Sequence, residues 1–191
     1  MPSLAELRRR YPKVTLDLSL SDRQSDPIKE GWDIVLRIGE LPASGGIIVR
    51  KLCDLRAGLY TSADYLERHG PITTLEELQQ QQGVLFRNNA GQIRPWTVCE
   101  GGRKLDVMPL ASVIASDGRA MIDSVKAGLG VAQLYDRVAA CFVESEALVP
   151  LLPELNVDGP PVHALIPAGR RMPPKTRAVL EHLSDCLRSA R

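Results

Sequence analysis

Apolar and polar residues alternate through Val14, Thr15, Leu16, Asp17, Leu18, Ser19 and Leu20, the period-two pattern of a strand with one buried face. A helix is predicted before it, because Ser3 and Glu6 have the spacing of a capping box and Tyr11-Pro12 stops the run. After it, Ser25, Pro27 and Gly31 have the cap, proline and terminal-glycine order of a short helix, and residues 33–38 form a mostly apolar run containing Arg37. Strand, helix and strand in so short a stretch predict a βαβ unit. Two further extended runs follow at 47–52 and 56–61. Ser62 is placed to cap a helix ending at Gly70-Pro71, and Thr74-Leu75-Glu76-Glu77 is a second capping box, opening a helix that runs to Gln82.

The middle of the chain differs in kind. Short strands are predicted at 84–87, 96–99 and 103–107, the last two joined through Glu100-Gly101-Gly102 as a hairpin. A strand at 113–115 leads to Asp117, the predicted cap of a helix with Met121, Ile122 and Val125 at helical spacing and Gly128 at its end. A strand at 131–134, a helix near 137–141 and strands at 148–151 and 162–166 come next. Pro173-Pro174 opens a last helix, with Val179, Leu180, Leu183 and Leu187 in one stripe. The sum is an α/β chain of two lobes, since βαβ units bracket a block with its own hairpin. Boundaries near 58–62 and 160–166 suit such an insertion.

Composition narrows the classes. At 191 residues the chain can bury a substantial core without disulfides or metals. Lys plus Arg total 24 and Asp plus Glu 23, a formal charge of +1, which excludes a protein that coats nucleic acid through bulk charge. The charge is unevenly spread: residues 1–13 sum to +3, residues 169–191 to +4 and the stretch between to −6. Solvated helix faces account for this, and a basic surface for an anionic partner is the sharper alternative. Cys53, Cys99, Cys141 and Cys186 form no C-x-x-C pair, and His69, His163 and His182 add no local ligand spacing. Reduced thiols, no metal and no cofactor are therefore expected. The first residues lack a signal peptide's apolar core, and no apolar run approaches about 18 residues, so a cytoplasmic protein without a membrane span is expected.

The signatures G-x-x-x-x-G-K-[ST], H-E-x-x-H and G-x-S-x-G do not occur. Gly128-Leu129-Gly130 reads as a helix stop, since it follows a helix and lacks the third glycine of a dinucleotide loop. No nucleophile, base and orienter are paired locally, and no enzyme is expected. Two turns look suited to a small polar ligand, Ser21-Asp22 after the first strand and Ser116-Asp117-Gly118 before a helix, because backbone N–H groups collect there. Simple helix capping is the plainer role for both. Arg37 lies at the end of a buried strand, where its charge calls for a partner, either a ligand or an internal carboxylate such as Asp33.

These residues, read in order, resemble the effector-binding domain of LysR-type transcriptional regulators. The likeness lies in Arg10-Tyr11-Pro12-Lys13-Val14-Thr15-Leu16-Asp17-Leu18, in Ser21-Asp22-Arg23, in Glu30-Gly31-Trp32-Asp33 and in Arg37-Ile38-Gly39-Glu40-Leu41. It continues through Tyr60 to Gly70, Asp117-Gly118, Ala127-Gly128-Leu129-Gly130-Val131-Ala132, and the segments 148–155 and 161–167. The resemblance implies a periplasmic-binding-protein-like (type 2) fold of two Rossmann-like lobes: lobe I from 1–60 and 163–191, lobe II inserted as 61–162. It implies a small-molecule inducer in the cleft between lobes, polar or carboxylate-bearing, contacted by Ser21, Arg37, Gly39, Ser116, Asp117 and Gly118. It further implies a non-catalytic sensor whose lobe or subunit shifts reposition DNA-binding heads. Family dimers would pack the helix of Leu4 to Arg10 against the partner's helix of Arg119 to Ala127.

The chain departs from the family's pattern in having no winged helix-turn-helix, linker helix or first strand of lobe I. DNA is therefore expected to be reached only through a helix-turn-helix domain outside this chain, and Met1 is expected to be an internal start or boundary. The missing strand would lie between 14–20 and 33–38, leaving backbone groups to be satisfied by strand rearrangement or by a strand from another chain. A free-standing solute-binding protein of the same fold and an enzyme on a similar scaffold are the competing readings. The first would need an export signal, the second a convergent catalytic set.

Overall fold

Leu59 and Tyr60, neighbours in one strand, belong to two separate apolar cores, as do Leu85 and Val84, and Val131 and Ala132. Successive strand side chains face opposite ways, so this alternation marks a sheet covered on both faces. The structure is a computed structural model that describes residues 2–21, 26–39, 41, 45–168 and 172–189. In chain order its elements are α1 (Pro2–Arg10), β1 (Val35–Ile38), β2 (Ile47–Thr61), α2 (Ala63–His69), α3 (Leu75–Gln79), β3 (Gln82–Phe86), β4 (Trp96–Glu100), β5 (Arg103–Val107), β6 (Leu110–Ala115), α4 (Gly118–Lys126), β7 (Ala132–Tyr135), α5 (Asp136–Glu144), β8 (Val149–Leu151), β9 (Val157–Pro167) and α6 (Pro174–Ser189). They divide into two units. The first comprises Met1–Leu20, Gln24–Asp54 and Pro160–Arg191, the second Ser21–Arg23 and Leu55–Gly159. The divisions after Asp54 and after Gly159 fall inside β2 and β9.

The second unit is built on the parallel pair β3 and β6, extended by a parallel bridge from Gly83 to Val131. Val131 leads into β7, which runs antiparallel to the end of β2, and β8 pairs with that same end. Tyr65, Leu75 and Leu78 from α2 and α3, with Trp96, Val98 and Val107 from the β4–β5 hairpin, fill one core. Met121, Ile122 and Val125 from α4 and Ala139 from α5 fill the other. The helix starts follow their capping residues: the Ser62 hydroxyl accepts from the Tyr65 N–H at 3.3 Å, and Thr74 with Glu77 closes a full capping box. α3 nevertheless stops at Gln79, because β3 begins by Gln82 and its backbone groups enter the sheet. Gly130, at φ 151°, is held where a Cβ would lie 2.4 Å from the Gln82 carbonyl oxygen. That close approach lets the Val131 N–H donate to the same oxygen at 2.9 Å.

In the first unit α1 packs on α6, with Leu7 and Leu180 buried, and β1 pairs antiparallel with β9 from Val35–Leu165 to Ile38–Val162. Several expectations are corrected here. Residues 14–20 form no strand and no other regular element, and Leu18 and Leu20 are 54% and 76% exposed. The βαβ unit is therefore not formed among the described residues. Residues 27–31 make a turn and no α-helix, closed by Glu30 N–H to Asp26 O and capped by the Asp26 carboxylate on the Ile28 and Lys29 amides. Asp22, Ser25 and the Ser3 side chain lie outside the described residues. The runs at 47–52 and 56–61 are one strand of 15 residues. Rearrangement does not close the expected gap among the described residues, for β1 has β9 on one edge and no strand on the other. The physical reason is that alternation only says which face would be buried; a strand also needs a neighbouring edge to take its hydrogen bonds.

Candidate functional site

Because β3, β6 and the Val131–β7 run are mutually parallel, their carboxyl ends come to one end of the second unit's sheet. In open α/β sheets this is the end at which ligands are held, by the turns leading into the following helices. Two such turns occur, one from β6 into α4 and one from β7 into α5.

The first holds Ser116, Asp117 and Gly118, and Ser116 and Asp117 are exposed. Asp117 is the N-cap, its carboxylate accepting from Arg119 N–H at 2.9 Å and Ala120 N–H at 3.0 Å. These two donors of the first turn, which the sequence suggested for a ligand, thus already face a carboxylate of the chain. A ligand here meets the hydroxyl of Ser116, the Asp117 carboxylate and the turn backbone. The second turn holds Tyr135, Asp136 and Arg137. Asp136 accepts the Arg56 amide at 3.1 Å and the Arg137 amide at 2.8 Å, tying β2 to the start of α5. Burial raises the Tyr60 hydroxyl above its usual pKa, and the Asp136 charge adds to this. Burial likewise raises Tyr135, against an opposing pull from the Arg94 cation.

The remaining sequence candidates are distributed between the units. Ser21, at the exposed end of the 14–20 segment, falls in the second unit. Arg37 and Gly39 fall in the first. Arg37 is half-buried on β1, directly across from His163 on β9, so the two side chains share a face. The His163 Nδ1 is enclosed and has no hydrogen-bond partner among the described residues. Asp33, the carboxylate that the sequence offered to Arg37, instead stands 3.4 Å from the Lys175 ammonium. Gly39 turns the chain out of β1 at φ 84° while its N–H donates to Pro161 O at 3.0 Å.

Sequence reasoning missed the β7–α5 turn and His163. The signal for the first was present: a strand predicted to 134 and a helix near 137 bracket Tyr135-Asp136-Arg137 just as Ser116-Asp117-Gly118 is bracketed. His163 needed the β1–β9 register, which joins residues far apart in sequence.

The family described as LysR substrate binding domain matches residues 1–188. An HTH-type transcriptional repressor of Pseudomonas aeruginosa is 30% identical over 185 residues, covering 96% of this chain and 58% of that protein. An HTH-type transcriptional regulator of Xanthomonas campestris is 32% identical over 189 residues, covering 95% and 54%. The chain thus spans little more than half the length of these relatives. Among solved structures, the regulatory domain of CrgA, a LysR-type transcriptional regulator from Neisseria meningitidis, superimposes with a TM-score of 0.82 at 27% identity, over 97% of this chain and 90% of that one. The longer CrgA structure superimposes with a TM-score of 0.79 at 28% identity, over 97% and 63%. No helix among the described residues is long and apolar enough to cross a membrane.

Proposed function

Because the chain belongs to the LysR substrate-binding domain family, we propose that it is the inducer-sensing and oligomerisation domain of a LysR-type transcriptional regulator acting in the cytoplasm. The observation that carries this reading is the extent of the likeness to the CrgA regulatory domain, nearly the whole of both chains. In this reading residues 1–60 and 163–191 are regulatory lobe I and residues 61–162 lobe II. A small polar or carboxylate-bearing metabolite is contacted by Arg37 and Gly39 of lobe I and by Ser116, Asp117 and Gly118 of lobe II, with Ser21 supplying a hydroxyl. The Arg37 cation selects for negative charge, and the Asp117 carboxylate, committed to its helix, selects for a donor group facing it. No bond is made or broken: the ligand acts by favouring one arrangement of lobes or subunits over another. α1 packs against α4 of a second copy in the dimer, and DNA is bound by a helix-turn-helix portion of the longer polypeptide.

Thermal unfolding of the chain with a panel of small carboxylates and their neutral amides tests this. A ligand held at 100 times its dissociation constant should stabilise the domain by about 2.7 kcal/mol. Arg37→Ala should abolish that gain. A folded sample that no member of the panel stabilises would remove the sensor reading.

A further inference from the structure

Gly101 and Gly102 close the β4–β5 hairpin at φ 55° and 80°, the left-handed backbone that a tight two-residue turn requires. Such a turn makes its flanking pair, Glu100 and Arg103, a hydrogen-bonded pair, and bonded pairs alternate along an antiparallel ladder. Thr97 and Cys99 fall between the bonded pairs, so their N–H and C=O groups point away from β5, along an edge of β4 that no strand covers among the described residues. At Thr97 a side chain takes the place of a strand. The Gln133 Oε1 accepts from the Thr97 N–H at 3.0 Å, and the Gln133 Nε2 donates to the Thr97 carbonyl at 2.6 Å. Two residues on, roughly 7 Å along the strand, the Cys99 N–H and C=O meet no such partner among the described residues.

Beside Cys99, between the end of β4 and the short 3-10 turn Pro153–Leu155, lies a cavity of about 390 Å³ floored by the buried Leu75, Leu152 and Leu155. Its rim carries the exposed carboxylates of Glu76, Glu100 and Glu154, none of them in an ion pair among the described residues. A backbone donor and acceptor ringed by three negative charges repel an anion and suit an amide chain that bears cations. We propose that this groove takes an extended, lysine- or arginine-bearing peptide segment of a partner protein, which adds a strand to the free edge of β4. One peptide residue exchanges both main-chain bonds with Cys99, as Gln133 does with Thr97, and alternate side chains reach the glutamate rim and the leucine floor. The groove shares no residue with the Ser116–Gly118 or Tyr135–Arg137 turns, so its occupancy is an activity of the second unit additional to small-molecule sensing.

The test titrates the full chain calorimetrically with acetyl-Lys-Val-Lys-Val-Lys-amide. Controls are one form N-methylated at the three lysines, one N-methylated at the two valines, and one with glutamate in place of lysine. The expected result is binding of the first peptide, at least about tenfold weaker binding of one N-methylated form, and none of the acidic form. The peptide should slow amide exchange at Cys99 and leave Thr97, already held by Gln133, unchanged. Glu100→Gln combined with Glu154→Gln should melt with the parent, since both carboxylates are exposed and unpaired, and should weaken binding about tenfold. Failure of the first peptide to bind the folded parent would overturn the proposal, as would binding with no slowing at Cys99 or equal binding of both N-methylated forms. Unchanged binding by the double variant, or a double variant that melts well below the parent, would remove the glutamates from the role given them and overturn it too. Self-association of the chain that the peptide reverses and the double variant lacks would place a second copy in the groove and overturn the partner reading.

Discussion

In the second unit both faces of the sheet are roofed, and Val84, Val98, Val125, Val131, Ala132 and Ala139 have no exposed surface. In the first, Leu18, Leu20, Leu36, Ile38, Ile48 and Val49 are between 44% and 76% exposed. Propensity and patterning do not separate the two regions. The difference lies in edges: among the described residues β3 has partners on both sides, while β1 has one and the 14–20 segment has none. A face is buried only where hydrogen-bonded neighbours and a helix layer both cover it, so alternation produces a core around β3, and leaves apolar side chains exposed on the first unit's strands and at the margin of the second, as at Leu110 on β6.

Substitutions can break or sharpen that contrast. The largest effect belongs to Leu85→Ala in the roofed sheet, expected to cost about 4 kcal/mol in denaturant unfolding, against about 2 for Leu180→Ala in the first unit, where a looser surround can collapse onto the cavity. Equal losses would mean that the first unit packs as tightly as the second. Gly130→Ala should cost about 2 kcal/mol and increase amide exchange at Val131, since its Cβ would force apart the backbones that Gly130 now joins. Thr74→Ala should cost about 1 kcal/mol through loss of the α3 cap. The same box has a pH signature. Hydrogen bonds from Thr73, backbone and side chain, and then from Thr74 hold the Glu77 carboxyl below its ordinary value near 4.5. A carboxyl lowered on folding adds stability above its unfolded pKa, and that stability disappears as the pH falls through the folded one. The contribution should therefore be constant at neutral pH and fade below about pH 4.5, and Glu77→Gln should show a shallower acid loss. Smallest of all, Leu20→Ser should change stability by under about 0.5 kcal/mol; a larger loss would show that something covers the 14–20 segment in solution.

Helices with a chemical stop and start were legible from sequence: Ser62, Thr74 and Asp117 each cap as their types predict, because a cap is a contact between residues a few positions apart. The β4–β5 hairpin was legible for the same reason, its two glycines sitting in the turn at φ 55° and 80°. In the first unit α1, β1, β9 and α6 were legible as elements, but their pairing was not, since its sheet depends on β1 meeting β9 across most of the chain. The candidate site divides in the same way. Asp117 and Arg37 announce themselves locally, as a cap and as a charge in an apolar run. His163 opposite Arg37, and the Arg137 turn standing at the same end of the sheet as Ser116, follow from register and strand direction, which periodicity does not encode.

The register of β1 against β9 also sets an order of events during synthesis. Val35 and Leu165 are roughly 130 residues apart, and Leu55–Gly159, the bulk of the second unit, is translated between them. At about 5–20 residues per second, β1 waits several seconds on the ribosome with neither edge paired, while the second unit already has all its strands but the last. Leu36 and Ile38 are exposed for that interval beside Leu18 and Leu20. The stretch from Leu18 to Ile38 is therefore sticky for as long as β9 is unmade, the interval in which a chaperone would find it.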